Sequence, residues 1–243
     1  MITFVWGKVW TECRKKGCAG LKRLLWVLLC IFMLYPQVNA TTSEKMVALT
    51  FDDGPSGRFT RRLLQGLDQR QAVATFLLCG YRMAQYPELT RQIHQQGHEI
   101  GLHGYTHQLM NRMSFQEIYN ELADTAALLP AGCTVQFLRP PGGKCNHATR
   151  LAAQQMELSL ILWSVDPRDW NTQDTEAIVR QVVTQTRDGD VILLHDMSDS
   201  SVDAALQIVD ALQAKGFRFV TLSQLAQARK IPLQPGKCYC RFG

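Results

Sequence analysis

The stretch "MVALTFDDGPS", Met46 to Ser56, runs from an apolar, β-forming segment straight into two adjacent carboxylates, Asp52 and Asp53, and then into a Gly-Pro turn. Like charges side by side repel, and the turn that follows keeps both close to the end of the segment. Two readings are open at this point: a solvated acidic turn, or a site that uses negative charge. What lies at the ends of the other apolar segments distinguishes them.

From Met46 onward such segments alternate with longer amphipathic ones. "MVALTF", "VATFLL", "HEIGLH", "VQFLR", "LSLILWSV", "DVILLH" and "FRFVTL" read as seven strands. The stretches 59–69, 87–96, 115–129, 148–155, 176–186 and 202–215 read as helices; Ser114 with Glu117 forms a capping box, and Gly97 and Gly216 occupy C-terminal cap positions. Strands alternating with helices imply a parallel sheet covered by helices. The expected fold is α/β, a distorted and incomplete (β/α)7-8 barrel with parallel strands, with an open doubly wound sheet as the alternative. No repeat or linker divides it.

The first forty of the 243 residues have a different character. "RKKGCAGLKR" is basic, Leu24 to Tyr35 is uninterruptedly apolar, and "VNA" ends on the small residue Ala40. That order marks residues 1–40 as a signal peptide, since a dozen apolar residues fall short of the roughly 20 of a membrane helix; an uncleaved anchor is the alternative. Residues 41–243 then form the exported domain, periplasmic or secreted. Of 26 basic and 21 acidic residues, six and one lie in the leader, so the domain is formally neutral and the +5 net charge gives no footprint for nucleic acid. Contact with a membrane is expected only through the leader, and the domain is expected to be a monomer. Cys79, Cys133, Cys145, Cys238 and Cys240 remain, enough for two disulfides and one thiol in an oxidising compartment. Cys238 and Cys240 flank one residue, a spacing open both to a soft metal and to a stapled tail.

Polar motifs follow the strands in turn: Asp52 and Asp53 after the first, "HGYTH" at the third, "RPPGG" after the fourth, "DPRDW" after the fifth, "LLHD" at the sixth. The C-terminal strand ends carry the active site in parallel α/β folds, so these motifs converge on one rim and the solvated-turn reading weakens. His103 and His107, four apart, share one face if they sit on a helical turn, a spacing used to grip a transition metal. With one Asp they fill three positions and leave others open, as catalytic metals require. The same set is also compatible with a facial triad for non-haem iron. His94 and His147 read as solvated, and His98 as a strand-end residue.

With these motifs in order, the chain resembles the polysaccharide deacetylases of the NodB-like group, carbohydrate esterase family 4, from about Met46 to Leu225. The resemblance implies a divalent metal, Zn2+ or else Co2+ or another ion, and hydrolysis of N-acetyl or O-acetyl groups on an acetylated glycan such as chitooligosaccharide, peptidoglycan or another envelope polysaccharide. Carried over residue by residue, Asp53, His103 and His107 would ligate the metal, Asp52 would be the general base and Arg139 would hold it. His195 would be the general acid, tethered to Asp169, with Asp166 as the other candidate tether. Gly142 would offer a backbone N–H to the oxyanion, and Pro141, Trp170 and Leu193 would line the substrate pocket, although Trp170 also reads as plain core. Two positions depart from the family pattern: Gly104 stands where Ser or Thr usually follows the first metal histidine, and Gly142 stands where an aromatic is common. The alternatives are a non-catalytic carbohydrate-binding protein on the same fold, or an amidohydrolase acting on a non-sugar amide.

Overall fold

Eight short strands, buried along nearly their whole length, form the centre of the chain. The computed structural model describes residues 44–243, so the expected leader, with its cleavage point and its three cysteines, lies outside the described residues. The strands are β1 (Lys45–Asp52), β2 (Thr75–Leu78), β3 (Glu99–Leu102), β4 (Phe137–Leu138), β5 (Ser159–Ile161), β6 (Val191–His195), β7 (Phe217–Phe219) and β8 (Cys238–Tyr239). The helices are α1 (Arg58–Gln69), α2 (Gly80–Gln85), α3 (Pro87–Gln95), α4 (Phe115–Ala126), α5 (His147–Gln155), α6 (Thr175–Gln185), α7 (Asp199–Ala214) and α8 (Leu222–Ala228). None of the described helices is long and apolar enough to cross a membrane.

The sheet order is β6-β1-β2-β3-β4-β5-β8, and every pairing is parallel. β1 is the hub. Its first residues, Lys45 to Val47, pair with β7 on the edge that Thr50 to Asp52 give to β2, while Ala48 to Asp52 pair with β6 on the other edge. Beyond β5 the chain touches β6 through a single parallel bridge, Val165 to Ile192. The sheet therefore curls until its two sides nearly meet, a distorted and incomplete barrel rather than an open doubly wound sheet.

Side chains alternate across a strand with period two, and the two faces of β1 serve different layers. Val47, Leu49 and Phe51 pack outward with Leu63, Leu64 and Leu67 of α1 and with Val202, Ala205 and Val209 of α7. Ala48 faces the other way, into a cluster with Leu77, Phe137, Ile161 and Val191, closed by Leu222 and Leu225 of α8 and by Tyr239 and Phe242 of the tail. Thr50 and Asp52, also buried, share the face of Ala48. At full burial each such Leu or Phe contributes about 1.5–3 kcal/mol, so both layers stabilise the curl.

Several boundaries differ from the sequence expectation. α2, "GYRMAQ", has no side-chain cap and only six residues, too short for periodicity to reveal. The segment read as one strand through Leu222 ends at Phe219, because Thr221 caps α8 in a capping box with Gln224. β8 is an eighth strand of two residues on the edge of β5. The capping box at Ser114 and Glu117 is present, and Gly97 and Gly216 follow their helices with φ of 81° and 79°. The five described cysteines are free thiols, so neither of the two disulfides that their number allows is formed among the described residues, and Cys79 lies fully buried in the core.

Candidate metal centre and active-site cleft

The pairing register sets the site. Asp52, the last residue of β1, is the direct partner of His195, the last residue of β6. On the other side of β1, Leu102 of β3 and Leu138 of β4 are register partners, so the next residues, His103 and Arg139, leave the sheet side by side. All four polar groups emerge on the C-terminal edge of the parallel sheet, where strands lie about 4.8 Å apart.

Asp53 comes one residue beyond the strand and adopts φ of 71°. An extended residue there would point to the opposite face from Asp52; the left-handed conformation, which Asp tolerates better than most residues, brings both carboxylates to one cleft. Asp53 Oδ1 lies 3.2 Å from His103 Nε2 and 3.0 Å from His107 Nε2. The two histidines belong to a loop, not to the helical turn that their spacing suggests: Gly104 has φ of 80° and His107 has φ of 63°. Two left-handed residues, rather than helical periodicity, bring the imidazoles within 5.1 Å of each other.

This donor set fits a cation. His103 Nδ1 lies 2.6 Å from the Arg139 carbonyl, a contact that requires Nδ1 to carry a proton and directs the other nitrogen, Nε2, at the Asp53 carboxylate. Asp53 Oδ1 is buried with no hydrogen-bond donor in proper geometry. Two imidazole nitrogens facing one carboxylate oxygen need a positive charge between them, supplied by a proton or a metal ion. Burial works against charge on Asp53, yet the two histidines outweigh it and hold the carboxyl well below its usual range; the Asp53 contact likewise raises His107. Among the described residues this is the only cluster of three or more His, Cys, Asp or Glu with metal-binding geometry, so the Cys238/Cys240 pair belongs to none.

Arg139, fully buried, ties the rim together. Its Nη1 donates to Asp52 Oδ1 at 2.6 Å and to Thr50 Oγ1 at 2.8 Å, its Nε to the Ile161 carbonyl and its Nη2 to the Leu162 carbonyl. A buried guanidinium is tolerated only when charge and donors are matched in this way. Asp52 Oδ2 remains free and sits 3.8 Å from His103 Nε2. Across the cleft, Asp169 Oδ1 lies 2.8 Å from His195 Nδ1, and Asp169 Oδ2 accepts from the His195 backbone N–H at 2.8 Å. Asp166, the other candidate tether, instead accepts from the Arg168 backbone N–H. Burial disfavours charge on His195, but Asp169, helped by Asp52 and Asp53, pushes it up to about 9.

The cleft above these groups holds about 630 Å3 and is lined by Gly142, Trp163, Leu193 and Trp170 among others. Trp170 is 65 % exposed, which removes the plain-core reading, and it separates this cleft from an adjoining one of about 680 Å3 that reaches Gln173 and Met197. Pro141 does not line either cleft; it is buried next to Gly142, whose φ of 63° turns the chain at the rim. Trp163 and Arg168 line the cleft although the sequence reading assigned them no role. Trp163 lies in the segment "LSLILWSV", read as the fifth strand, where strand propensity masked it. The other histidines are elsewhere: His98 is buried, with Nδ1 accepting from the Ala74 N–H, and burial, against the charge of Asp68, lowers it to about 4.

The family model described as polysaccharide deacetylase matches residues 39–161. A peptidoglycan-N-acetylmuramic acid deacetylase of Bacillus subtilis, PdaC, is 37 % identical over 82 % of this chain, and a peptidoglycan-N-acetylglucosamine deacetylase of Bacillus cereus is 38 % identical over 79 %. The chain spans 43 % of the first relative's length and 92 % of the second's. Among solved structures, a family 4 acetyl xylan esterase from Clostridium thermocellum, in complex with cobalt, superimposes with a TM-score of 0.76 at 32 % identity, covering 81 % of this chain and 98 % of that one. The chain belongs to the polysaccharide deacetylase family.

Proposed function

We propose that the domain is a metal-dependent hydrolase that removes N-acetyl groups from an envelope glycan, with peptidoglycan the leading substrate. The observation that carries this reading is the pairing of two proton-handling groups across one cation-ready centre: Asp52 on one flank, His195 on the other, Asp53, His103 and His107 between. Support for peptidoglycan comes from the two bacterial relatives, which act on its N-acetylmuramic acid and N-acetylglucosamine.

Asp53, His103 and His107 would hold a divalent ion, Zn2+ in our reading. Bound there, the ion supplies Lewis acidity, polarising the acetyl carbonyl and acidifying a water. Asp52, oriented through Oδ1 by Arg139, takes the proton of the attacking water on its free Oδ2. Leu193 and Trp170 shape the pocket for the acetyl group, and the Gly142 N–H stabilises the oxyanion. His195, its Nδ1 held by Asp169, presents Nε2 to the departing nitrogen and gives it a proton, because an amine leaves poorly without one. The C–N bond breaks, acetate and the free amine depart, and the proton on Asp52 restores the acid. Export ahead of residue 41 would bring the domain to this substrate.

The test is acetate release from N-acetylated peptidoglycan fragments and chitooligosaccharides by chelator-treated protein, with and without added Zn2+ or Co2+. Ion-dependent release that Asp52→Asn abolishes supports the reading; no release from any acetylated glycan refutes it. Ester hydrolysis on acetylated xylan is a second reading, motivated by the esterase that shares the fold. A higher kcat/KM on acetylxylan than on N-acetyl glycans would favour it.

A further inference from the structure

At position 104, directly after the first histidine ligand, the loop carries no side chain that could fasten it. Gly104 has φ of 80°, and a Cβ there would lie 3.3 Å from Glu121 Oε2 and 3.1 Å from Met110 Cε. Four backbone groups of residues 104–106 nevertheless have partners. The carbonyls of Gly104 and Tyr105 accept from the N–H groups of Gly80 and Tyr81, at the start of α2, at 3.0 and 3.1 Å. The N–H groups of Tyr105 and Thr106 both donate to Glu121 Oε2, at 2.7 and 2.8 Å, and the Thr106 hydroxyl donates to Glu121 Oε1 at 2.9 Å. Among the described residues, Glu121 is the one side chain that hydrogen-bonds the backbone of this loop.

We infer that Glu121, on α4, is the positioning residue of the metal centre: its carboxylate sets the path of the 103–107 loop, and thereby the distance between the His103 and His107 nitrogens, in place of a side chain at position 104. The inference rests on the proposed metal-dependent reading of the site. Its physical basis is threefold. Two left-handed residues, Gly104 and His107, leave the loop without regular hydrogen bonds of its own, so its shape depends on outside partners. A carboxylate accepting three donors forms charge-assisted bonds, which are stronger than neutral ones. And α4 is itself fixed by its capping box and by the burial of Ile118, Leu122 and Thr125, so the carboxylate is delivered from a rigid element. His103 is additionally fixed by its own contact to Arg139, whereas His107 is half exposed and has no partner besides Asp53, so His107 is the ligand that drifts when Glu121 is lost.

The test measures Zn2+ affinity, by competition with a chromophoric chelator, for chelator-stripped wild type and for Glu121→Ala, Glu121→Gln and Thr106→Val, with the melting temperature of each ion-free protein recorded. Glu121→Ala is expected to weaken Zn2+ binding about 10- to 100-fold, the usual scale for groups that orient metal ligands. Glu121→Gln keeps an acceptor for the two N–H groups, and its amide can donate to the Thr106 hydroxyl, so its affinity is expected within about three-fold of wild type. Thr106→Val loses one bond of three and falls between them. Unchanged affinity in Glu121→Ala overturns the inference, as does Glu121→Gln binding as weakly as the alanine variant. Should Glu121→Ala not fold, Glu121→Gln and Thr106→Val decide, the order wild type, Gln, Val supporting the inference and any other order overturning it. A wild type that binds no ion removes the proposed function and the inference together, whereas a wild type that binds tightly and an alanine variant that matches it remove the inference alone.

Discussion

Replacing Asp169 with Asn keeps the size of the side chain and an acceptor for His195 Nδ1, but removes the charge that opposes burial. With Asp169 present, His195 holds its proton to about 9; with the charge gone, burial lowers the imidazole to its ordinary 6.5 or below. The difference, about 2.5 units, corresponds to roughly 3 kcal/mol of preference for the imidazolium. At pH 8 the protonated fraction falls from about nine-tenths to about 3 %, so turnover of an amide substrate should drop up to roughly 30-fold. A bound cation offsets the part of the push that comes from Asp52 and Asp53, so the alkaline limb of the wild-type kcat/KM profile should lie at or below about 9, and that of Asp169→Asn below about 6.5. The assay is that profile at saturating metal, on an N-acetyl glycan and on 4-nitrophenyl acetate. The phenolate leaves without a proton, so the ester should lose far less than the amide. An unshifted alkaline limb, or an ester penalised as heavily as the amide, would refute the role given to the Asp169–His195 pair. The same proton bears on stability: for a histidine raised in the folded state the contribution is complete below pH 6.5 and is lost as pH rises through about 9, so the ion-free protein should lose up to about 3 kcal/mol across that interval.

Other outcomes follow from single contacts. Trp170→Ala, at a 65 % exposed position, should leave the melting temperature nearly unchanged while raising KM for the glycan roughly 3- to 10-fold, a stacking contribution; a shift in stability without a change in KM would return Trp170 to the core. His98, lowered to about 4 by burial, stays neutral in the folded protein while the unfolded chain takes up a proton below 6.5, so stability should fall by up to about 3 kcal/mol between pH 6.5 and 4. His98→Asn, which keeps an acceptor for Ala74, should flatten that slope in urea titrations; an equally steep slope assigns the acid sensitivity elsewhere. A Cβ on Gly80 would lie 2.3 Å from Tyr105 Cδ2 and 2.7 Å from Thr125 Oγ1, so Gly80→Ala should cost about 1–3 kcal/mol and weaken Zn2+ binding by displacing the histidine loop; an unchanged denaturation midpoint contradicts this.

The sequence was most legible where burial leaves a long signature. Val47 to Phe51 and Val191 to Leu194 are buried along their length, so apolar runs and the polar residues at their ends located the strands and the rim together. Elements too short to carry a period escaped: α2 with six residues, and β8 with two. The start of α8 had a legible signal in Thr221 and Gln224, overridden by the apolar run that precedes it. In the site, residue types and order were readable, but conformation was not. A four-residue spacing suggests a helical turn, and only the left-handed Gly104 and His107 reveal a loop; the left-handed Asp53 likewise breaks the strand alternation that adjacency alone implies. Choosing Asp169 over Asp166 needed the 2.8 Å contact to His195, since both aspartates stand in the same motif. Glu121 lay beyond reach for another reason: it acts on a loop 15 and 16 residues earlier in the chain, and no local pattern on an amphipathic helix marks a carboxylate that closes one.

The central claim is that Asp53, His103 and His107 together hold one divalent ion on which hydrolysis depends. Its most direct test is to titrate Zn2+ into chelator-stripped protein while following acetate release from an N-acetylated glycan. The account predicts negligible release without ion, a rise that levels off at one equivalent, and no rise in His103→Ala. Full activity in the stripped protein, or a wild-type titration curve in His103→Ala, would contradict it.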